Sequence, residues 1–174
     1  MNSKRDQLML VLLGQQGDRD ALNTLLERVQ DRLFRFIRGM LSGDASSAED
    51  VLQETLLRIA RKLPWLTEPQ AFDAWAYRIA SNEAYRAARR SRRRMTEQLE
   101  DDGLIAETPP ALRLDAEQLQ SMLAELSPAS RAVVVLHYQE ERPLEEIASI
   151  LAIPLGTVKS RLGYGLRRLR EKAR

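Results

Sequence analysis

The 174 residues carry 27 Lys and Arg against 25 Asp and Glu, a formal net charge of +2, with no cysteine and one histidine. This composition excludes disulfides, thiolate zinc or iron–sulfur sites and thiol nucleophiles, and one histidine cannot build a histidine-based metal cluster. The length suits one or two small domains, and with a near-neutral total the distribution of charge along the chain is the informative quantity.

The apolar run Leu8–Leu13 is far short of the ~20 residues needed to span a bilayer, and no small-residue cleavage site follows it. It predicts a short amphipathic or buried helix in a cytoplasmic protein with no membrane insertion. Leu22, Leu25, Leu26, Val29, Leu33, Phe36, Ile37 and Met40 keep the three-and-four spacing of a second helix. Ser47 with Asp50 three residues on resembles a capping box, and Val51, Leu52, Thr55, Leu56 and Ile59 continue that helix until Pro64. Another helix is expected to start near Pro69 and run through Phe72, Trp75, Ile79 and Tyr85 into an arginine tract, closing a first domain over residues 1–94. Strand-like alternation appears nowhere at length, so the chain is predicted to be all-α.

Six arginines and no acid lie between Arg86 and Arg94; Glu97, Glu100, Asp101, Asp102 and Glu107 then follow with no base among them. With Gly103, Pro109 and Pro110, residues 95–114 offer little apolar face and read as an acidic, flexible linker. In the second domain, residues 115–174, Leu119, Met122, Leu123 and Leu126 mark one helix. Ser127-Pro128 is an N-cap with a first-turn proline before Ala132, Val133 and Leu136. A helix over 144–151, a break at Ala152-Ile153-Pro154 and a basic helix from Gly156 have the proportions of a helix-turn-helix, whose second helix enters the DNA major groove.

At 100° per residue, Phe72, Trp75, Ala76, Ile79 and Ala80 share one side of the helix after Pro69, while Arg78, Ser81, Asn82, Tyr85 and Arg89 share another. Guanidinium groups for phosphates beside an amide and an aromatic ring suit an unstacked single-stranded base, and Arg86 opens the adjoining basic tract. On the last helix Val158, Leu162, Leu166 and Leu169 point inward, leaving Thr157, Ser160, Arg161, Tyr164 and Arg168 outward with Lys159 beside them. Its start at Gly156-Thr157 offers free N–H groups to a phosphate. From Lys159 to Arg174 seven bases face one acid, Glu171, and a solvated helix face is the bland alternative for either tract. His137 is a lone histidine, and neither a P-loop nor a dinucleotide glycine motif is present, so no enzyme, metal or cofactor is expected. The acids Glu49, Asp50 and Glu54 with Gln53 splay around their helix instead of converging on a cation, which favours a protein-facing patch.

Three stretches then resemble, in order and spacing, signatures of the extracytoplasmic-function sigma factors of bacterial RNA polymerase. They are Ala48-Glu49-Asp50-Val51-Leu52-Gln53-Glu54-Thr55, Ala74-Trp75-Ala76-Tyr77-Arg78-Ile79-Ala80-Ser81-Asn82 and Ile153-Pro154-Leu155-Gly156-Thr157-Val158-Lys159-Ser160-Arg161-Leu162. The resemblance implies that Asp50, Gln53 and Glu54 dock on the clamp helices of the largest subunit of core polymerase. It implies that the helix after Pro69 and the loop around Trp65 hold melted −10 promoter DNA, with Asn82 near a flipped base and Trp75 packing. It further implies that the helix-turn-helix reads the −35 element as duplex and meets the polymerase flap, and that an anti-sigma factor is a candidate partner. Ala152 stands where a turn glycine is usual, and Gly163 and Gly165 bracket Tyr164 in the recognition helix. The competing reading is a stand-alone helix-turn-helix regulator of duplex DNA, which accounts for the C-terminus and leaves the acidic patch and the Asn/Tyr/Arg stripe unexplained. A third is a helical adaptor that inhibits a sigma factor by mimicry.

Overall fold

The structure is a computed structural model that describes residues 3–42, 44–95 and 116–172. Apart from Met95, the linker expected over 95–114 lies outside them, as do the acids Glu97 to Glu107 and the terminal Arg174. The helices are α1 (Ser3–Gln15), α2 (Arg19–Met40), α3 (Ala45–Lys62), α4 (Phe72–Met95), α5 (Ala116–Ala124), α6 (Pro128–Tyr138), α7 (Leu144–Leu151) and α8 (Leu155–Lys172). Short 3-10 turns at Leu63–Trp65 and Pro69–Ala71 join α3 to α4. No strand occurs among the described residues, so the all-α expectation holds.

Local chemistry sets most of the ends. The Asp18 carboxylate accepts from Asp20 N–H and Ala21 N–H to open α2, and Ser127 accepts from Ser130 N–H to open α6 with Pro128 in its first turn. The start of α3 is a correction: its cap is Asp44, one turn before the Ser47 signal, accepting from Ser47 N–H at 3.1 Å. Hydrogen bonds from the side chain and backbone of Ser47 hold the Asp44 carboxyl below its ordinary pKa. A full negative charge at the positive helix end outcompetes a hydroxyl for the role. Pro69 likewise opens a 3-10 turn, and α4 proper begins at Phe72.

In the N-terminal group, α1 packs on α2, α2 on α3 and α4, and α3 on α4. Leu25, Val29, Leu33, Phe36, Ile37 and Met40 of α2 are buried, which is the face its spacing marked. Phe36 meets Tyr77 of α4 edge to face, ring centroids 5.5 Å apart. The C-terminal group stacks α6 on α8, with α7 bridging them. Gly163 and Gly165 of α8 are buried, and a Cβ on Gly165 would lie 2.7 Å from Val134 Cγ2. Close approach to α6 therefore offsets the helix propensity, about 1 kcal/mol, that such a glycine gives up. Ala152 takes the left-handed conformation, φ +54°, that ends α7, with Ile153 N–H returning to Ala148 O at 3.1 Å.

The two groups also touch each other, α2 against α6 and α4 against α7. A Cβ on Gly39 of α2 would fall 2.7 Å from Gln139 Oε1, the end of a flexible side chain, and 3.0 Å from Val135 Cγ1, so a side chain there would press on α6. The Arg131 guanidinium, buried at the same seam, donates to Met40 O at 2.7 Å, Ala124 O at 2.8 Å and Leu126 O at 3.0 Å.

Candidate nucleic-acid interface

The α4 stripe is built on a helix held by its other faces. Phe72, Ala76 and Ala80 are fully buried as expected, and so is Tyr77, which the helical plot had not placed inward. Along the stripe Arg78, Asn82, Arg86 and Arg89 are exposed, Tyr85 is half-buried and Ser81 is buried. Burial raises the pKa of the Tyr85 hydroxyl, an effect opposed by the charges of Arg161 and Arg131. Trp65, on the first 3-10 turn, is 76% exposed.

On α8, Val158 and Leu169 are buried and Leu162 and Leu166 half-buried. Gly156, Lys159 and Arg168 are exposed, while Thr157, Ser160, Arg161 and Tyr164 are half-buried. Space is open around Gly156 at the head of α8, where nothing lies within 4 Å of an added Cβ. Ser160 Oγ donates back to Thr157 O at 3.0 Å. Glu171 holds Arg168 at 3.4 Å.

The α3 patch leaves Glu49, Asp50 and Gln53 exposed, and Glu54 half-buried. Sequence reasoning missed Leu57, which is 50% exposed and sits one turn on from Gln53, an apolar centre among the acids. It also missed a charge chain joining this patch to the α4 stripe. Arg58 Nε lies 2.6 Å from Glu54 Oε1 and 3.2 Å from Glu83 Oε1, and Glu83 Oε1 also holds Arg86 Nη1 at 3.0 Å. Only the four-residue spacing of Glu54 and Arg58 was visible as a sequence signal.

The structure brings two of the expected sites together. Arg78, Ser81, Asn82 and Tyr85 of α4 share a cavity of about 150 Å³ with Ile150, Leu151, Ala152 and Arg161 of the helix-turn-helix. Among the described residues no group of His, Asp and Glu could hold a metal ion, and no helix is long and apolar enough to cross a membrane.

Residues 25–94 match the family described as sigma-70 region 2, and residues 122–171 match sigma-70, region 4. The ECF RNA polymerase sigma factor SigW of Bacillus subtilis is 30% identical over 173 residues, covering 91% of this chain and 92% of its own. The RNA polymerase sigma-E factor of Streptomyces avermitilis is 36% identical over 146 residues, covering 82% and 79%. Among solved structures, the sigma factor RpoE in complex with the anti-sigma factor NepR from Bartonella quintana superposes with a TM-score of 0.68 at 27% identity, covering 86% of this chain and 94% of that one. CnrH, solved in complex with the cytosolic domain of CnrY, shares the fold at a TM-score of 0.72 and 22% identity, each chain covered to 97%. Since the relatedness to SigW runs along nine-tenths of both chains and takes in the acidic patch, the α4 stripe and the helix-turn-helix, the chain belongs to the ECF sigma factors of RNA polymerase, which direct transcription initiation at promoters.

Proposed function

We propose that this chain docks on core RNA polymerase through the outer face of α3 and reads a promoter with two separate surfaces, without catalysis of its own. Glu49, Asp50, Gln53 and Glu54 supply the charged rim of the docking face and Leu57 its apolar centre. Trp65 and the α4 side chains Arg78, Ser81, Asn82, Tyr85, Arg86 and Arg89 capture the melted −10 strand. Gly156, Thr157, Lys159, Ser160, Arg161, Tyr164 and Arg168 engage the −35 duplex. The observation that carries the reading is the coexistence on one chain of an exposed acidic and apolar face with two cationic faces of different chemistry.

The division of labour follows from the groups themselves. An aromatic ring, an amide and guanidiniums suit a base out of its stack, because every base offers a π-face and a hydrogen-bonding edge once exposed. A helix N-terminus followed by Lys159 and Arg161 suits an intact major groove. Contacts that are weak separately gain effective concentration when polymerase places both. Residues 1–94 and 115–174 act as the two reading domains and 95–114 as the tether between them. An anti-sigma factor is a candidate further partner, since the similar RpoE was solved bound to one.

The test is transcription of pooled genomic fragments by core polymerase with and without the protein, alongside pull-down of core by the Asp50→Lys, Glu54→Lys variant. New transcripts with the wild type and lost pull-down with the variant at unchanged helicity are expected. Undiminished binding by the folded variant would remove α3 from the interface.

A further inference from the structure

Trp65 stands on a turn with little of its own to hold it. The 3-10 segment Leu63–Trp65 is three residues long, Pro64 brings no N–H to it, and Leu66 N–H closes it on Leu63 O at 3.1 Å. Because the ring is mostly exposed, packing does not fix its direction, and the backbone that carries it must. The missing hold comes from α1. The Gln15 side-chain amide donates to Leu63 O at 3.1 Å and to Leu66 O at 2.7 Å, across 48 and 51 residues of sequence. One nitrogen with two N–H groups thus bridges the carbonyls on either side of the Pro64-Trp65 step.

Gln15 is itself held in place. The end of α1 is the left-handed Gly17, φ +93°, with Gly17 N–H returning to Gly14 O at 3.1 Å and Asp18 N–H to Leu13 O at 3.1 Å. Asp18 then caps α2, so the joint beside Gln15 leads directly into a helix of the core. At Gly14 an added Cβ would lie 2.9 Å from Leu63 Cδ2, and Leu63 is fully buried, so α1 runs directly against the turn. Farther back along α1, Gln7 Nε2 donates at 2.9 Å to Asp73 Oδ1 in the first turn of α4, where Arg32 of α2 meets the same oxygen at 3.2 Å. The connection between α3 and α4 is therefore gripped by α1 at both of its ends.

We infer that Gln15 is a positioning residue for promoter opening: its amide fixes the turn that presents Trp65 to the melted −10 strand. This rests on the assignment of Trp65 to that strand given above. Gln15 touches no DNA in this role, and it lies ahead of residue 25, where the match to region 2 begins. A ring that must first be ordered gives back part of its stacking free energy as entropy, so fixing the turn beforehand strengthens the capture of a base. Loss of the amide weakens that capture and leaves the docking face of α3 unchanged.

The test is a double-mutant cycle in holoenzyme assembled from core polymerase and the full chain, on a promoter recovered in the pooled-fragment transcription described above. Permanganate reactivity in the melted region measures open-complex occupancy, and competition with the wild-type chain measures core affinity. Gln15→Met, which keeps the side-chain length and deletes both donors, should lower occupancy about threefold to tenfold with core affinity within about twofold. Trp65→Ala should lower occupancy about tenfold or more, and adding Gln15→Met to it should lower occupancy no further. A residue of merely structural importance would act independently of Trp65, so losses that multiply in the double variant overturn the inference. Wild-type occupancy with Gln15→Met beside an impaired Trp65→Ala overturns it as well. If Trp65→Ala itself opens the promoter as the wild type does, the assignment of Trp65 fails and the inference falls with it, an outcome that this single variant tells apart from a failure of Gln15. Circular dichroism melting monitors folding, and if Gln15→Met melts below the assay temperature, Gln15→Asn, whose amide sits one methylene short of the carbonyls, takes its place in the cycle.

Discussion

Arg131 sits where the end of α2, the end of α5 and the first turns of α6 converge, and its replacement by methionine isolates what that convergence is worth. Methionine keeps most of the aliphatic volume and deletes the guanidinium. Three carbonyls, Met40 O, Ala124 O and Leu126 O, then lose donors at 2.7, 2.8 and 3.0 Å. Hydrogen bonds from a charged donor are worth about 1.5–3 kcal/mol each, but they share one side chain, and removing a buried charge recovers part of its desolvation cost. The net loss should be about 2–4 kcal/mol. For a chain of this size that is a fall in Tm of roughly 4–16 °C. Thermal melting followed by circular dichroism, with urea titration as the second measure, reads it directly. Arg131→Lys should lie between the two, since an ammonium cannot reach three diverging acceptors in the plane of a guanidinium. If Arg131→Met melts with the wild type, water replaces the guanidinium at those carbonyls without cost and the tie holds nothing together.

Burial, then the hydrogen bond and charge of Glu140, hold the Tyr77 hydroxyl above its ordinary pKa, with Arg142 opposing. The unfolded chain therefore gives up this proton first; the contribution is whole below about pH 10 and falls by up to about 1.4 kcal/mol per pH unit above it. In denaturant titrations from pH 9 to 11, Tyr77→Phe should lack this component of the alkaline loss. Lys159→Ala should lower the slope of log affinity against log salt by about one in promoter binding by the assembled holoenzyme, as expected for one neutralised phosphate; an unchanged slope places that amine away from the backbone. Leu57→Asp, on an exposed face, should change stability by less than about 0.5 kcal/mol and still weaken core polymerase binding about tenfold or more in a competition assay.

What a residue's near neighbours control was legible from the order of amino acids. The buried face of α2, the Ser127-Pro128 start of α6 and the helix-turn-helix break at Ala152 follow from helical period and backbone preference, which act within a turn or two. The Asp44 cap escaped because Ser47 carried a competing local signal, and only the charge at the helix end separates the two. Leu57 was indistinguishable from a core leucine, since the period says which residues share a face and not which face is left uncovered.

By itself the sequence determined the helices, the polar stripes and the family signatures that assign a role to them. Tertiary structure alone decided what those stripes meet. Tyr77 and Glu140 stand 63 residues apart, and Arg78 and Ile150 72 apart, beyond any periodicity. Whether a guanidinium is free for a phosphate or spent on a helix end depends on how α4 and α7 pack, and Gly39 and Gly165 matter because of the side chains opposite them. Those contacts arise when separately formed helices exclude water from one another, and the free energy of doing so belongs to pairs of surfaces that no local window of sequence contains.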